Sequence, residues 1–190
     1  QIVEESINNK YSANAGEQIK QTRSYMFDEL DRLACVDVTG TNAGSREYKY
    51  FVWNASTIYP HLKPVTCWVK SPDRDWGLAA EACRYLEGTH DFANFSRKGE
   101  RPANTIRTLY EVRMNQEGNL VTFHIKGSGF LTNMVRIIIG NLEKVATGEH
   151  RPEWINELFM ADADRCDGGK TFPASGLFLW KINYCENIWD

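Results

Sequence analysis

Gly127-Ser128-Gly129-Phe130-Leu131-Thr132-Asn133-Met134-Val135-Arg136-Ile137-Ile138-Ile139-Gly140 opens on a glycine turn and continues as a helix. Leu131, Met134, Val135, Ile138, Leu142 and Val145 recur three and four residues apart. That spacing lines one face of a helix with apolar side chains. Ile137 and Ile139 carry the apolar surface beyond the stripe, so the segment reads as a helix seated deep in a core. Arg136 is the one charge within it. A guanidinium in such company is expected to be shielded from water, and an uncompensated buried charge is costly. Its planar fork fits a carboxylate, so the helix calls for an Asp or Glu beside it.

Immediately upstream, residues 105–114 and 120–126 alternate apolar and polar around Asn115-Gln116-Glu117-Gly118-Asn119, the pattern of a β-hairpin. Farther back, Tyr48, Tyr50 and Val52 alternate with Glu47, Lys49, Phe51 and Trp53 as a strand. Residues 65–69 form a second, short strand after a loop containing Pro60 and Pro64. Asp75 caps a predicted helix from residue 76 to about 86, closed by Gly88. Downstream, Pro152 stands at the first position of a predicted helix over 153–160. Residues 176–184 end the pattern as a strand with Phe178, Trp180, Ile182 and Tyr184 on one face. This order predicts an α+β fold, a largely antiparallel sheet with helices packed on one face, over residues 46–190. Residues 1–45 are a poorly defined N-terminal segment. Tyr25, Met26, Leu30 and Leu33 suggest one short helix there.

The bulk composition excludes several classes. With 42% hydrophobic and 25% charged residues, the 190-residue chain has the make-up of a globular protein. A net charge of -3 gives no global signature of a histone-like nucleic-acid binder, although a local basic groove stays open. The five cysteines, Cys35, Cys67, Cys83, Cys166 and Cys185, are dispersed, with no CxxC pair and no zinc-finger histidine spacing. They read as reduced thiols in an intracellular setting, cytoplasmic first and organellar as the alternative, and no metal site is expected. No apolar run reaches membrane-span length, so no membrane partner is expected. The chain starts with Gln rather than Met, which suggests a piece of something longer.

Three apparent sites weaken when their spacing is weighed. Gly127-x-Gly129 lacks the third glycine of a dinucleotide fingerprint, because Thr132 stands in its place. His90-Asp91 has no serine or cysteine nucleophile context and reads as a turn whose side chains cap backbone. Asp162, Asp164 and Asp167 lack the twelfth-position acid of a calcium loop. Arg136 remains, with a structural ion pair as its plainer explanation.

Several motifs then occur in one order. Arg46-Glu47-Tyr48-Lys49-Tyr50 resembles the R-x-Y-x-Y strand of the tRNA pseudouridine synthase A family. Gly88-Thr89-His90-Asp91-Phe92, with Phe95, resembles its G-x-H-D-F-x-x-F segment. Phe130-Leu131 through Met134-Val135-Arg136, Ile138 and Gly140 is similar to its F-L-x-x-M-V-R-x-I-x-G helix. Asp164-Arg165 and Gly176-Leu177-Phe178-Leu179 resemble its D-R and G-L-Y-L segments. The resemblance implies a pseudouridine-synthase-like fold and an RNA-modifying isomerase that turns uridine into pseudouridine in tRNA without metal or cofactor. The base is cut from the ribose at N1, turned, and rejoined through C5, with an aspartate as nucleophile. By the same resemblance Arg136 pairs with that aspartate, Tyr48 stacks on the extruded base, and Leu177 walls the base pocket. Arg97, Lys98, Arg101 and Arg107 are candidate phosphate contacts. tRNA or another structured RNA is the implied partner, and a homodimer the implied assembly.

One departure outweighs the matches. The family's G-R-T-D-x-G-V-H nucleophile motif is missing from these residues, and Cys35-Val36-Asp37-Val38-Thr39-Gly40 is only a superficial echo of it. Within the chain, Asp91 and Asp164 are the acids to examine as partners of Arg136. The expectation is therefore a C-terminal domain whose nucleophile lies upstream. The alternative is a non-catalytic RNA-binding or assembly module that kept the fold.

Overall fold

The computed structural model describes residues 44–71, 73–97, 102–160 and 166–183 in full, together with the backbone of three strands before them. Those strands, β1 (Ile2–Asn8), β2 (Lys20–Phe27) and β3 (Leu33–Thr39), form an antiparallel sheet in the order β1-β2-β3. This corrects the helix expected near Tyr25. Tyr25 pairs with Val3 on one side and Val36 on the other, so strand hydrogen bonding satisfies its neighbourhood from both edges. Three- and four-residue spacing over so short a stretch does not separate helix from strand, and tertiary pairing decides.

The second sheet contains β4 (Arg46–Asn54), β5 (Cys67–Val69), β6 (Gly88–Asp91), β7 (Ile106–Glu117), β8 (Leu120–Gly127) and β9 (Leu177–Ile182). Its order is β5-β4-β8-β7-β6, with β9 also paired to β4. β4 and β5 run parallel and every other pair is antiparallel. The α+β, largely antiparallel expectation holds. Alternation puts Tyr48, Tyr50 and Val52 of β4 opposite Ile125, Phe123 and Val121 of β8, and all six are buried. Helices α1 (Trp76–Cys83) and α2 (Met134–Ala146) share that core. Every residue of α2 except Arg136 and Lys144 is buried. The periodic stripe thus understated how fully this helix is enclosed.

Three local details differ from the sequence reading. Gly118, with φ +58°, lets a two-residue turn close the hairpin, so the strands run past Asn115 to Glu117 and Leu120. Gly88–Asp91, read as a turn, is an edge strand on β7. Pro152–Phe159 is a 3-10 helix rather than an α-helix. Buried Pro152, Ile155 and Leu158 are three residues apart, and a 3-10 helix stacks such positions in one line facing the core.

Thiol reactivity follows from the burial. Cys67 and Cys83 are buried and Cys166 is exposed. Burial pushes the Cys67 thiol up, and burial with nearby Glu87 pushes Cys83 up to about 12. At pH 8 only about one Cys83 in 10⁴ is then a thiolate, the reactive form. Brief alkylation of the native protein followed by peptide mapping is expected to label Cys166 and spare Cys67 and Cys83. Equal labelling of Cys83 and Cys166 would contradict this packing. Among the described residues no helix is long and apolar enough to cross a membrane.

Candidate functional site

The first turn of α2 has an unusual start. Asn133, the residue before the helix, has φ +62°, the left-handed region that asparagine tolerates better than most residues. Its side chain does not cap the helix. The Asn133 Oδ1 instead accepts a hydrogen bond from Arg136 Nη1 at 2.9 Å. Backbone strain beside a polar contact of this kind is a mark of candidate functional sites.

A second acceptor holds the same guanidinium. Arg136 Nε donates to the Phe172 carbonyl at 2.5 Å, while the Phe172 N–H donates to the Arg136 carbonyl at 3.2 Å. The loop before β9 is therefore zipped onto α2. The Asn141 Oδ1 accepts from Gly169 N–H, and Gly140 meets the backbone of Lys170 so closely that a Cβ would overlap its carbonyl oxygen. The glycine that closes the M-V-R-x-I-x-G pattern thus lets a loop cross the helix at backbone contact. Asn133 and Phe172 each offer an oxygen to the guanidinium and so help to fix its orientation. Such a group favours an ionised carboxylate nearby.

Arg136 is half-buried, less enclosed than its apolar neighbours on the helix. Of the two acids considered as its partner, Asp91 accepts from Ala93 N–H at 2.9 Å and from the Thr105 hydroxyl at 2.5 Å. It caps its own turn. Asp164 lies outside the described residues. His90 stacks on Phe159 with ring centroids 4.4 Å apart and bonds the Glu87 carbonyl, so it too has the expected structural job.

β4 and β9 bring the other candidates close. Tyr48 pairs with Leu179 across the strands and Tyr50 pairs with Leu177. Leu177 is half-buried against the core. Tyr48 is 3% exposed and meets Phe130, from the loop before α2, edge to face at 4.9 Å. A base can reach the Tyr48 ring only if the residues covering it move. Arg97 is exposed, and half-buried Arg107 donates from Nη1 to the Asn104 and Ile106 carbonyls. Lys98 and Arg101 lie outside the described residues. Among the described residues no cluster of His, Cys, Asp and Glu is arranged to hold a metal ion.

Asn133 and the Phe172 carbonyl were not recognised from sequence as the groups that hold Arg136. The asparagine sits in a variable position of the motif. The carbonyl belongs to the backbone, so no side-chain pattern announces it. Arg46 was read only as part of a motif, yet it is 2% exposed and reaches the Ser128 carbonyl at 3.5 Å.

This geometry gives a structural setting to several matches with known proteins. tRNA pseudouridine synthase A of Oceanobacillus iheyensis is 42% identical over 144 residues, covering 75% of this chain and 56% of that protein. The Geobacillus kaustophilus enzyme of the same name is 36% identical over 143 residues, covering 75% and 55%. The Clostridium kluyveri one is 44% identical over 103 residues, covering 54% and 42%. The chain spans about half the length of the curated relatives it matches. The profile of a family described as tRNA pseudouridine synthase matches residues 82–185, more than half of the chain, and takes in α2 with Arg136, the zipped loop and β9. With the M-V-R helix inside that match, this chain belongs to the tRNA pseudouridine synthase family.

Proposed function

We propose that the protein carrying this chain converts uridine to pseudouridine in tRNA, and that the chain supplies the arginine side of the active site. The observation that carries the proposal is Arg136, presented by the family's helix in a half-buried position and oriented by contacts that include Asn133 and the Phe172 carbonyl. A nucleophilic carboxylate, contributed by a part of the protein outside this sequence, docks against it and stays ionised. The isomerisation breaks the N1–ribose bond and forms a C5–ribose bond, with a hydrogen lost at C5 and one gained at N1. Atoms balance without any co-reactant.

The remaining residues divide the other tasks. Tyr48 stacks on the extruded base once the residues covering its ring give way, and Leu177 bounds the pocket. Arg97, Lys98, Arg101 and Arg107 meet backbone phosphates of a tRNA, an electrostatic contribution that weakens with added salt. A homodimer working in the cytoplasm belongs to the same proposal.

Tyr48 offers a direct test in the full-length protein. Aromatic stacking contributes about 1–3 kcal/mol per base, so Tyr48→Ala is expected to slow pseudouridine formation roughly 10- to 100-fold. Tyr48→Phe keeps the ring and is expected to retain more activity than Tyr48→Ala. Mass spectrometry of digested tRNA transcripts reads the product. Equal activity of all three proteins would remove Tyr48 from the site.

A further inference from the structure

We propose that Tyr50 is a positioning residue for Arg136, acting through the Phe172-Pro173 backbone. This rests on the function proposed above and names a residue that the family's motif role for Tyr48 leaves unexplained.

Tyr50 lies on β4, two residues beyond Tyr48, and is completely buried. Its hydroxyl donates to the Pro173 carbonyl at 2.6 Å. The preceding carbonyl, that of Phe172, accepts from Arg136 Nε at 2.5 Å. One phenol therefore anchors the peptide unit adjoining the one that fixes the guanidinium. The rings of Tyr50 and Phe172 also meet, 6.2 Å apart at 63°, and Phe172 is 2% exposed. Pro173 has φ -55° and ψ 150°, and its ring restricts how the two carbonyls turn relative to each other. Burial holds the phenol far above its ordinary pKa, so the hydroxyl keeps its proton, and remains a donor, at any working pH.

Removing that hydroxyl leaves the Pro173 carbonyl without its donor in a part-buried place, and the segment relaxes. The guanidinium then loses its fixed reference on the loop side while Asn133 still holds the other. A fork that must meet a carboxylate in one orientation loses rate when its support shifts. Ground-state binding of tRNA, spread over a wide surface, does not depend on that support.

The test is Tyr50→Phe in the full-length protein. Loss of one buried hydrogen bond of this kind predicts a kcat lower by about tenfold with KM for tRNA unchanged. In an Arg136→Lys background the same change is expected to have less than about a twofold effect, because the group it positions has gone. Ser175→Ala removes another hydroxyl anchor of the same segment, the bond from Ser175 to the Thr66 carbonyl, and is expected to leave kcat unchanged. A thermal melt confirms that each variant is folded at the assay temperature. An unchanged kcat for Tyr50→Phe overturns the proposal. So does the same fold-loss in both backgrounds, or an equal loss for Ser175→Ala.

NMR of the full-length protein supplies an arm independent of turnover. The Arg136 Nε–H is expected to be protected from solvent exchange in the wild type and to exchange at least about tenfold faster in Tyr50→Phe. Faster exchange in a protein that makes no pseudouridine would defeat the proposed function and uphold the positioning contact. Unchanged exchange would overturn the contact whatever the activity.

Discussion

Arg136→Lys in the full-length protein is expected to slow pseudouridine formation by on the order of 10²-fold, and Arg136→Ala by on the order of 10³-fold. Lysine keeps the charge but has no planar fork. Its single nitrogen cannot stand at both the Nε and Nη1 positions from which Arg136 reaches the Phe172 carbonyl and the Asn133 Oδ1 at 2.5 and 2.9 Å. The ammonium therefore sits in several orientations where the guanidinium has one. Alanine also leaves the incoming carboxylate without its counter-charge. Breaking a fully buried ion pair costs about 3–5 kcal/mol. A 10³-fold loss corresponds to about 4 kcal/mol, within that range. Single-turnover measurement on an unmodified tRNA transcript separates this chemical effect from product release. Rates within about threefold of the wild type for Arg136→Lys would show that the fork geometry has no catalytic use.

Gly140→Ala is expected to be the most damaging small substitution. The added Cβ overlaps the Lys170 carbonyl oxygen, and the loop has little room to retreat. Gly169 is bonded to Asn141, and Phe172 is bonded to Arg136 in both directions. Overpacking in such a place costs about 3 kcal/mol, which for a chain of this size lowers the melting temperature by roughly 10 °C. The consequence reaches the site, since a loop lifted at Lys170 carries the Phe172 carbonyl away from Arg136. A calorimetric scan and the turnover assay are expected to fall together. A normal melting temperature would contradict the tight crossing of loop and helix.

The parts of this molecule that were legible in sequence are those whose physics is local. Alternation in β4 and β8 showed in the sequence because every second residue meets the same core, whereas in β7 a register shift between Leu109 and Glu111 sets the buried Leu109 and Val112 three residues apart. The α2 stripe showed for the same reason at helical spacing, although it hid how completely the helix is enclosed. The early strands were missed because β1, β2 and β3 depend on one another across many residues, while Tyr25, Met26, Leu30 and Leu33 also suit a helix turn. Pro152–Phe159 was given the wrong helix type because the three-residue burial of Pro152, Ile155 and Leu158 appears only against the fold.

The candidate site divides in the same way. Arg136 stood out as a charge among isoleucines, and Tyr48 and Leu177 came from the family motifs. The groups that hold Arg136 did not stand out. One is a backbone carbonyl far along the chain, and another is an asparagine whose left-handed backbone cannot be read from its identity alone. Tyr50 looked like an ordinary core aromatic, and its ring is one. Only its hydroxyl, aimed at Pro173, connects it to the site.

The most direct measurement is pseudouridine formation on unmodified tRNA transcripts by the full-length protein and, in parallel, by the 190-residue chain alone. Pseudouridine is expected from the full-length protein, dependent on Arg136, and none from the chain alone, since the proposed nucleophilic carboxylate comes from outside it. Robust turnover by the isolated chain, or none by the full-length protein across a complete set of tRNAs, would contradict that expectation.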